Sequence, residues 1–338
     1  MKFTHYNTFP VELKDEWNQL LAKSMNDVPF LRYEYLADWW QTRGGGEWPQ
    51  EAELAILAAR EGTELVGIAP FFITEQEGVK KLMLLGSIEI SDFLDLIVTA
   101  GRARAFIEGL LGYISDQLVP QGIHSIDMYN LLEDSPTILH LSEAGKAAGF
   151  EVIKAVLQHA PFITLPGDWD QYLESIDKKQ RHEIRRKMRR AAEADAQVEV
   201  YFTADLSRVE EDTQAFIALM AQDTEKEAFL TSAMREQFKI SIQTAFENGC
   251  LQLAFLQVNG ENAAAYLNFD YQNHIWVYNS GFDRRFMEYS PGWVLLGHLL
   301  KWANDNKRSE FDFLRGDEDY KYKFGAVDRF VCRVTLTK

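Results

Sequence analysis

Cysteine is nearly absent. Cys250 and Cys332 are the only two in 338 residues, and each falls in an expected strand or at its start, which excludes a disulfide framework and suits a reducing compartment. No zinc-ligand spacing is present, and His182 and His274 stand alone, as surface or core residues, so no metal is expected. Long apolar runs are missing as well. Nothing approaches the ~20 residues of a membrane span, and the opening MKFTHYNTFPVELKDEW lacks a basic segment followed by an apolar core. The expectation is a soluble cytoplasmic protein. Positive charge is scarce: 35 Lys plus Arg face 51 Asp plus Glu, a formal net charge of −16. A polyanion would need a local basic patch against that field, so general nucleic-acid binding is a poor premise.

What is present reads as α/β. The length allows one large domain or two of about 150 to 170 residues, each able to bury a core. Helices are expected at 11–23 and 31–40, broken by Asn26, Asp27 and Pro29. The run Gly44-Gly45-Gly46 is not followed by Lys-Ser/Thr and is closed by Trp48-Pro49, so it reads as a flexible loop without chemistry. An aliphatic hairpin follows over 53–60 and 65–74, turning at Glu61-Gly62, then strands at 80–85 and 93–98, a helix at 103–117, a strand at 125–129 carrying Asp127, and a helix at 137–148 stopped by Gly149. Strands at 152–156 and 162–165 close the first half, and Leu165-Pro166-Gly167-Asp168 marks a boundary between domains 1–165 and 166–338.

The second half opens with a short helix over 169–176 and a strongly basic one, KKQRHEIRRKMRRA, from Lys178 to Ala191. A strand at 198–202 and helices at 206–224 and 232–247 lead to a hairpin over 251–258 and 262–271 with Asn259-Gly260 at its turn, a strong two-residue signal. A turn at Gln272-Asn273 gives a third antiparallel strand, 274–280. In the stretch 290–325, Ser290 reads as an N-cap, Pro291 suits the first helical position, and Trp293, Leu296, Leu300 and Ala303 recur at helical spacing to about Asn304. A strand over 310–314 then delivers Arg315 and Gly316 at its carboxyl end, where ligands of α/β folds collect. Asp317, Glu318, Asp319, Tyr320, Lys321, Tyr322 and Lys323 follow, and Phe330, Cys332, Val334 and Leu336 alternate as a last strand. Both halves share an order of parts, which implies a duplicated fold. The chemistry-bearing residues gather in the second half, placing the active centre there or in the cleft between halves.

Those residues carry a resemblance. GFDRRFMEYSPGWVLLGHLLKWA, FDFLRGDEDYKYKFG and the basic KKQRHEIRRKMRRA resemble the acetyltransferase domain of CelD-like cellulose-biosynthesis proteins, within the GNAT acyltransferase superfamily, whose tandem members include the Fem-type aminoacyl transferases. The resemblance implies two GNAT-like domains, each a mostly antiparallel mixed sheet flanked by helices, the first degenerate and the second holding the acyl donor. It implies an acetyltransferase-like reaction moving an acyl group from acetyl-CoA or another acyl-CoA to an amine or hydroxyl of a small or envelope-related acceptor.

On that pattern the strand 274–281 would hold the thioester arm through Tyr278, Asn279 and Ser280, with backbone N–H groups polarising its carbonyl. The helix opening at Ser290 and Gly292 would face the pyrophosphate, with Arg284, Arg285, Arg315 and Lys321 as partners for phosphate or carboxylate. The family's usual Arg or Gln followed by a glycine-rich turn is reduced here to Gly292, and Pro291 removes a donor. Glu318 is the first choice of general base, with Asp283 and Asp312 as alternatives, and Tyr320, then Tyr322, would protonate the departing sulfur. Each has a structural reading: Asp312 capping backbone donors, Arg315 in an ion pair, Tyr320 in packing. The basic helix is either a solvated face or an anion site, for the adenosine 3′-phosphate of coenzyme A or for tRNA in a Fem-like transferase. A binding module that keeps the fold without turnover is the third possibility.

Overall fold

The computed structural model describes all residues, 1–338. The chain forms two compact units, one of residues 1–158 with 329–338 and the other of residues 159–328. In the first unit the strands are β1 (Lys2–Tyr6), β2 (Glu53–Glu61), β3 (Glu64–Gln76), β4 (Val79–Leu84), β5 (Ile97–Val98), β6 (Ser125–Leu132) and β7 (Glu151–His159), whose final residue begins the second unit. The helices are α1 (Lys14–Leu21), α2 (Tyr33–Gly46), α3 (Ala103–Tyr113) and α4 (Pro136–Ala147). The second unit holds strands β8 (Phe162–Thr164), β9 (Val198–Phe202), β10 (Leu251–Val258), β11 (Glu261–Tyr271), β12 (His274–Phe282) and β13 (Glu310–Asp312). Its helices are α5 (Trp169–Ser175), α6 (Lys178–Ala192), α7 (Leu206–Met220), α8 (Thr224–Phe229), α9 (Ser232–Glu247), α10 (Pro291–Asp305) and α11 (Asp319–Lys323). The last strand of the chain is β14 (Phe330–Thr337).

The first unit is an eight-stranded sheet in the order β1-β2-β3-β4-β6-β14-β7, with β5 alongside β3. Its parallel pairing of β4 with β6 covers only Lys81 to Met83 against Ser125 to Asp127. Beyond Met83 the two strands part. The gap is filled by the chain's own residues 85–96: Leu94 N–H donates to Asn130 O, the Asn130 amide donates to the Ile88 and Ser91 carbonyls, and Ile90, Phe93 and Leu94 are buried. The expected strand at 93–98 is therefore reduced to Ile97–Val98.

The final strand joins this sheet and not that of the second unit. Val331, Cys332, Val334 and Leu336 are fully buried, β14 pairs antiparallel with β6, and the buried Asp127 carboxylate accepts Arg333 Nε and Nη2 at 2.7 and 2.6 Å. Strand β8, read from sequence with the first half, pairs with β13 in the second sheet. The chain thus inserts its second unit, 159–328, between the last two strands of its first, whereas the sequence boundary lay at 165/166 and ran the second domain to 338. Alternation announces a strand but does not say which sheet it enters.

The second unit's sheet runs β8-β13-β12-β11-β10-β9. Asn259 and Gly260 take φ of 50° and 81°, the left-handed pair that a two-residue hairpin turn demands. The order of sheets and flanking helices is that of a mixed α/β protein built twice, as expected. Helix α10 packs its apolar stripe, Val294, Leu295, Leu299, Leu300 and Ala303, into the core of this unit.

Candidate functional site

Strands β12 and β13 run parallel for only three residue pairs, His274↔Glu310 to Trp276↔Asp312. Past that point β12 continues to Phe282 while β13 stops, and the sheet opens. Two features hold it open. The β11–β12 register slips between Leu267 and Asn268, which leaves Tyr278 unopposed as a bulge, and bulges bend a strand and re-aim its backbone groups. After β13 the chain turns away through Leu314 (φ 56°) and Gly316 (φ 110°), and Asp312 Oδ1 accepts the Leu314 N–H at 2.7 Å.

A pocket of about 170 Å³ lies at this opening, lined by Tyr266, Ser280, Gly281, Phe282, Gly292, Trp293, Leu296, Tyr320 and Phe324. It is bounded by the end of β12, the first turns of α10 and the short helix α11. Most of the lining is apolar, and the polar groups within it are phenols and a hydroxyl. The Tyr266 hydroxyl bonds the Ser280 side chain, and burial raises its pKa. Tyr320 makes a ring contact with Phe313, while its hydroxyl has no hydrogen-bond partner; burial, then Tyr266 and Glu318, raise its pKa. The Trp293 indole N–H is buried without an acceptor.

Ser290 departs from expectation. It lies in the left-handed region (φ 51°, ψ 52°) and its side chain caps nothing, because the preceding turn, Arg284–Tyr289, bends the chain sharply into Pro291. Gly292 and Trp293 open α10 directly against the pocket. Alongside lies α6, capped by Asp177 accepting Lys179 N–H and Gln180 N–H. Lys187 Nζ sits 4.2 Å from the Trp293 ring centroid. Arg186, Arg189, Arg190 and Tyr289, together with Glu193, Asp195 and Glu288, line a groove of about 500 Å³. Arg186 is paired with Glu183 and Arg185 with Asp170. Arg189 and Arg190 are exposed and make no ion pair.

The remaining sequence-derived residues divide by their bonds. The Lys321 ammonium is buried and donates to the Arg315 and Gly316 carbonyls at 2.9 and 3.0 Å, with Glu318 Oε2 at 2.8 Å. It therefore ties down the turn after β13 and does not face a ligand. Glu318 is largely exposed, and its charge reaches Tyr266, Tyr320 and Lys226. Asp283 accepts Arg285 N–H at 2.8 Å and Arg285 Nε at 2.9 Å, and Arg285 also pairs with Glu261; that guanidinium holds the Asp283 carboxyl below its usual range. Asp283 is thus a helix cap, and Asp312, fully buried, is a backbone anchor. Arg284 is exposed. The Tyr278 ring packs against Phe238 and Phe269, away from the pocket lining. Tyr322 donates to Asp328 at 2.7 Å. Of the fourteen sequence-derived positions, Ser280 and Gly292 join Tyr320 in lining the pocket, and Asn279 Oδ1 accepts the Ser280 N–H at 2.8 Å.

Sequence reasoning passed over Tyr266, Leu296, Phe324 and Lys226. Tyr266 was within reach: counting back from Tyr271↔His274 across the Gln272-Asn273 turn brings it opposite Asn279, and the bulge shifts it to Ser280. Gly281, read from sequence only as the end of the strand 274–281, also carries a packing constraint. A Cβ there would lie 2.4 Å from Leu219 C and Met220 N, so the end of α7 rests directly on the strand. Gly281→Ala should cost about 1–3 kcal/mol by overpacking against backbone that cannot yield, measured by urea unfolding. A variant as stable as the parent would show that α7 can shift.

Residues 178–322 match the family described as Acetyltransferase (GNAT) domain, a description that names no branch within it. Among solved structures, FemX superposes with a TM-score of 0.65 at 12% identity, covering 98% of this chain and 97% of that one. A tandem GNAT protein from the clavulanic acid biosynthesis pathway gives 0.52 at 13%, covering 98% and 97%. L-PGS from Bacillus licheniformis gives 0.56 at 11%, covering 95% and 90%. At these identities the likeness is one of fold: two tandem GNAT-like units. No curated protein matches the sequence. No helix is long and apolar enough to cross a membrane.

Proposed function

We propose that this chain, a tandem GNAT fold whose second unit carries the acetyltransferase-domain match, transfers an acyl group from an acyl-CoA to an amine or hydroxyl of a small acceptor. The observation that supports this best is the pocket where β12 and β13 part, closed by the opening of α10 and holding a phenol with no partner. A narrow apolar slot suits a thioester arm. The opening turn of α10 and the unpaired Arg189 and Arg190 beside it suit the donor's phosphates.

In this reading the acceptor attacks the thioester carbonyl, the C–S bond breaks, and the departing thiolate takes the proton of Tyr320. Glu318, exposed and within electrostatic reach of the pocket, relays the acceptor's proton to solvent, and the Tyr320 phenolate takes a proton back from solvent before the next turnover. The filled gap in the first unit supports a single donor site, in the second unit. Titration calorimetry with acetyl-CoA and longer acyl-CoAs tests the reading. One site per chain is expected, and Arg186, Arg189 and Arg190 changed together to Glu should weaken binding about tenfold at low salt through lost charge pairing. Folded protein that binds none of these donors would end it.

A second reading has a specific observation in its favour: the exposed arginines of α6 also suit tRNA, as in an aminoacyl-tRNA-dependent transferase. It predicts tRNA binding that falls steeply with salt and is lost in the same triple variant. A binding module without turnover is the outcome should donor bind and never react.

A further inference from the structure

Lys226 lies on α8, outside every motif that drew attention in the sequence. Its Nζ donates to Asn279 Oδ1 at 2.9 Å and to the Ser280 carbonyl. Asn279 Oδ1 in turn accepts the Ser280 N–H at 2.8 Å, and the Ser280 side chain bonds the Tyr266 hydroxyl in the pocket. The ladder with β13 ends at Trp276, so at Ser280 the opened edge of β12 has no neighbouring strand to satisfy it. Backbone groups left that way favour another conformation or water. Here an ammonium and one amide oxygen stand in for the missing strand. The lysine is half-buried and makes no ion pair. Burial lowers its pKa while Asp223 and Glu318 act against the shift from longer range. Placing an ammonium there carries a desolvation penalty that a neutral side chain, equally able to secure a surface helix, would avoid.

We infer that Lys226 is a positioning residue of the acyl-transfer site, holding the opened edge of β12 at Asn279 and Ser280 so that the pocket wall and the Tyr266 hydroxyl keep the geometry the reaction needs. The inference rests on the acyl-transfer reading, and its test separates the two. Hydrogen exchange on the full chain without donor is read first. Lys226→Met should speed exchange of amides 278–281 and leave β10 unchanged; unchanged rates at 278–281 would overturn the positioning role whatever the reaction is. Steady-state kinetics is read second. Misplacing a site by about 1 Å costs on the order of 10²-fold in rate. Accordingly, Lys226→Met should lower kcat about 30-fold with KM for the donor changed less than threefold and thermal stability retained, and Lys226→Arg, which keeps a donor, should recover most of it. A kcat within twofold of the parent, or equal losses in the Met and Arg variants, would overturn it. Failure of the unaltered protein to bind or turn over any acyl-CoA would instead end the reading of the reaction, with the exchange result still deciding what Lys226 does to the strand.

Discussion

Tyr320→Phe should lower kcat about 1,000-fold, in the range that a positioned general acid contributes, and should leave the fold as stable as before. The two halves of that result have one cause. The Tyr320 hydroxyl lies at the pocket and is bonded to nothing in the protein, so its removal orphans no partner. Only a ligand gives the hydroxyl a function. Tyr322→Phe is the contrasting control, because that hydroxyl is already bonded to Asp328 and its loss should affect stability more than turnover. The pH dependence follows from the direction of the shift. Burial raises the Tyr320 pKa, so the phenol stays protonated, and through this group the rate should not decline before about pH 10, where an ordinary phenol ionises. Single-turnover kinetics with differential scanning calorimetry on both variants decides the matter. A Tyr320→Phe variant retaining more than a tenth of the parental rate would reduce Tyr320 to packing.

How much of this was legible in the sequence depended on how local the determining interactions were. The Asn259-Gly260 hairpin and the helix after Pro291 are set by neighbours within a few residues, and each lies where propensity puts it, whereas the strand expected over 310–314 stops at Asp312 because the chain turns left-handed at Leu314. Tyr320 was reachable because it sits in the motif that carries the family likeness. Lys321 was misjudged because its role depends on what a buried ammonium meets: two carbonyls of the turn just before it, a contact that charge patterning does not encode. Ser290 was misjudged for a similar reason, since a residue preceding Pro looks like a cap until the turn before it forces a left-handed φ. Tyr266 and Phe324 meet at the pocket from β11 and the residue after α11, and Lys226 reaches the β12 wall of that pocket from α8. Such convergence requires register and packing that no single segment contains.

The largest error of scale in the sequence reading concerned the final strand, and there too the expected result is measurable. Arg333→Met should destabilise the first unit by about 3 kcal/mol, the lower end of what breaking a buried ion pair costs, because Arg333 itself is partly exposed. The guanidinium grips both oxygens of Asp127 across the β6–β14 pair and lies 4.5 Å from the Tyr129 ring centroid. Without it Asp127, 1% exposed, keeps only Thr335 and Lys81, the latter at 3.9 Å. Methionine retains the aliphatic stem, so the loss reports the charge and not the packing. Asp127→Leu in the Met background should return much of it, since a matched apolar pair removes the stranded carboxylate. Because β14 lies between β6 and β7, a chain ending at Asp328 would expose an edge on each, and its first unit should not fold. The candidate acyl site draws all its residues from the second unit, so at temperatures where Arg333→Met remains folded its donor affinity should equal the parent's. Urea unfolding of the single and double variants, with calorimetric donor binding below the transition, tests both statements. A single-variant loss under about 1 kcal/mol, the scale of an exposed pair, would mean that the apolar contacts of Val331, Cys332, Val334 and Leu336 alone hold the strand in place.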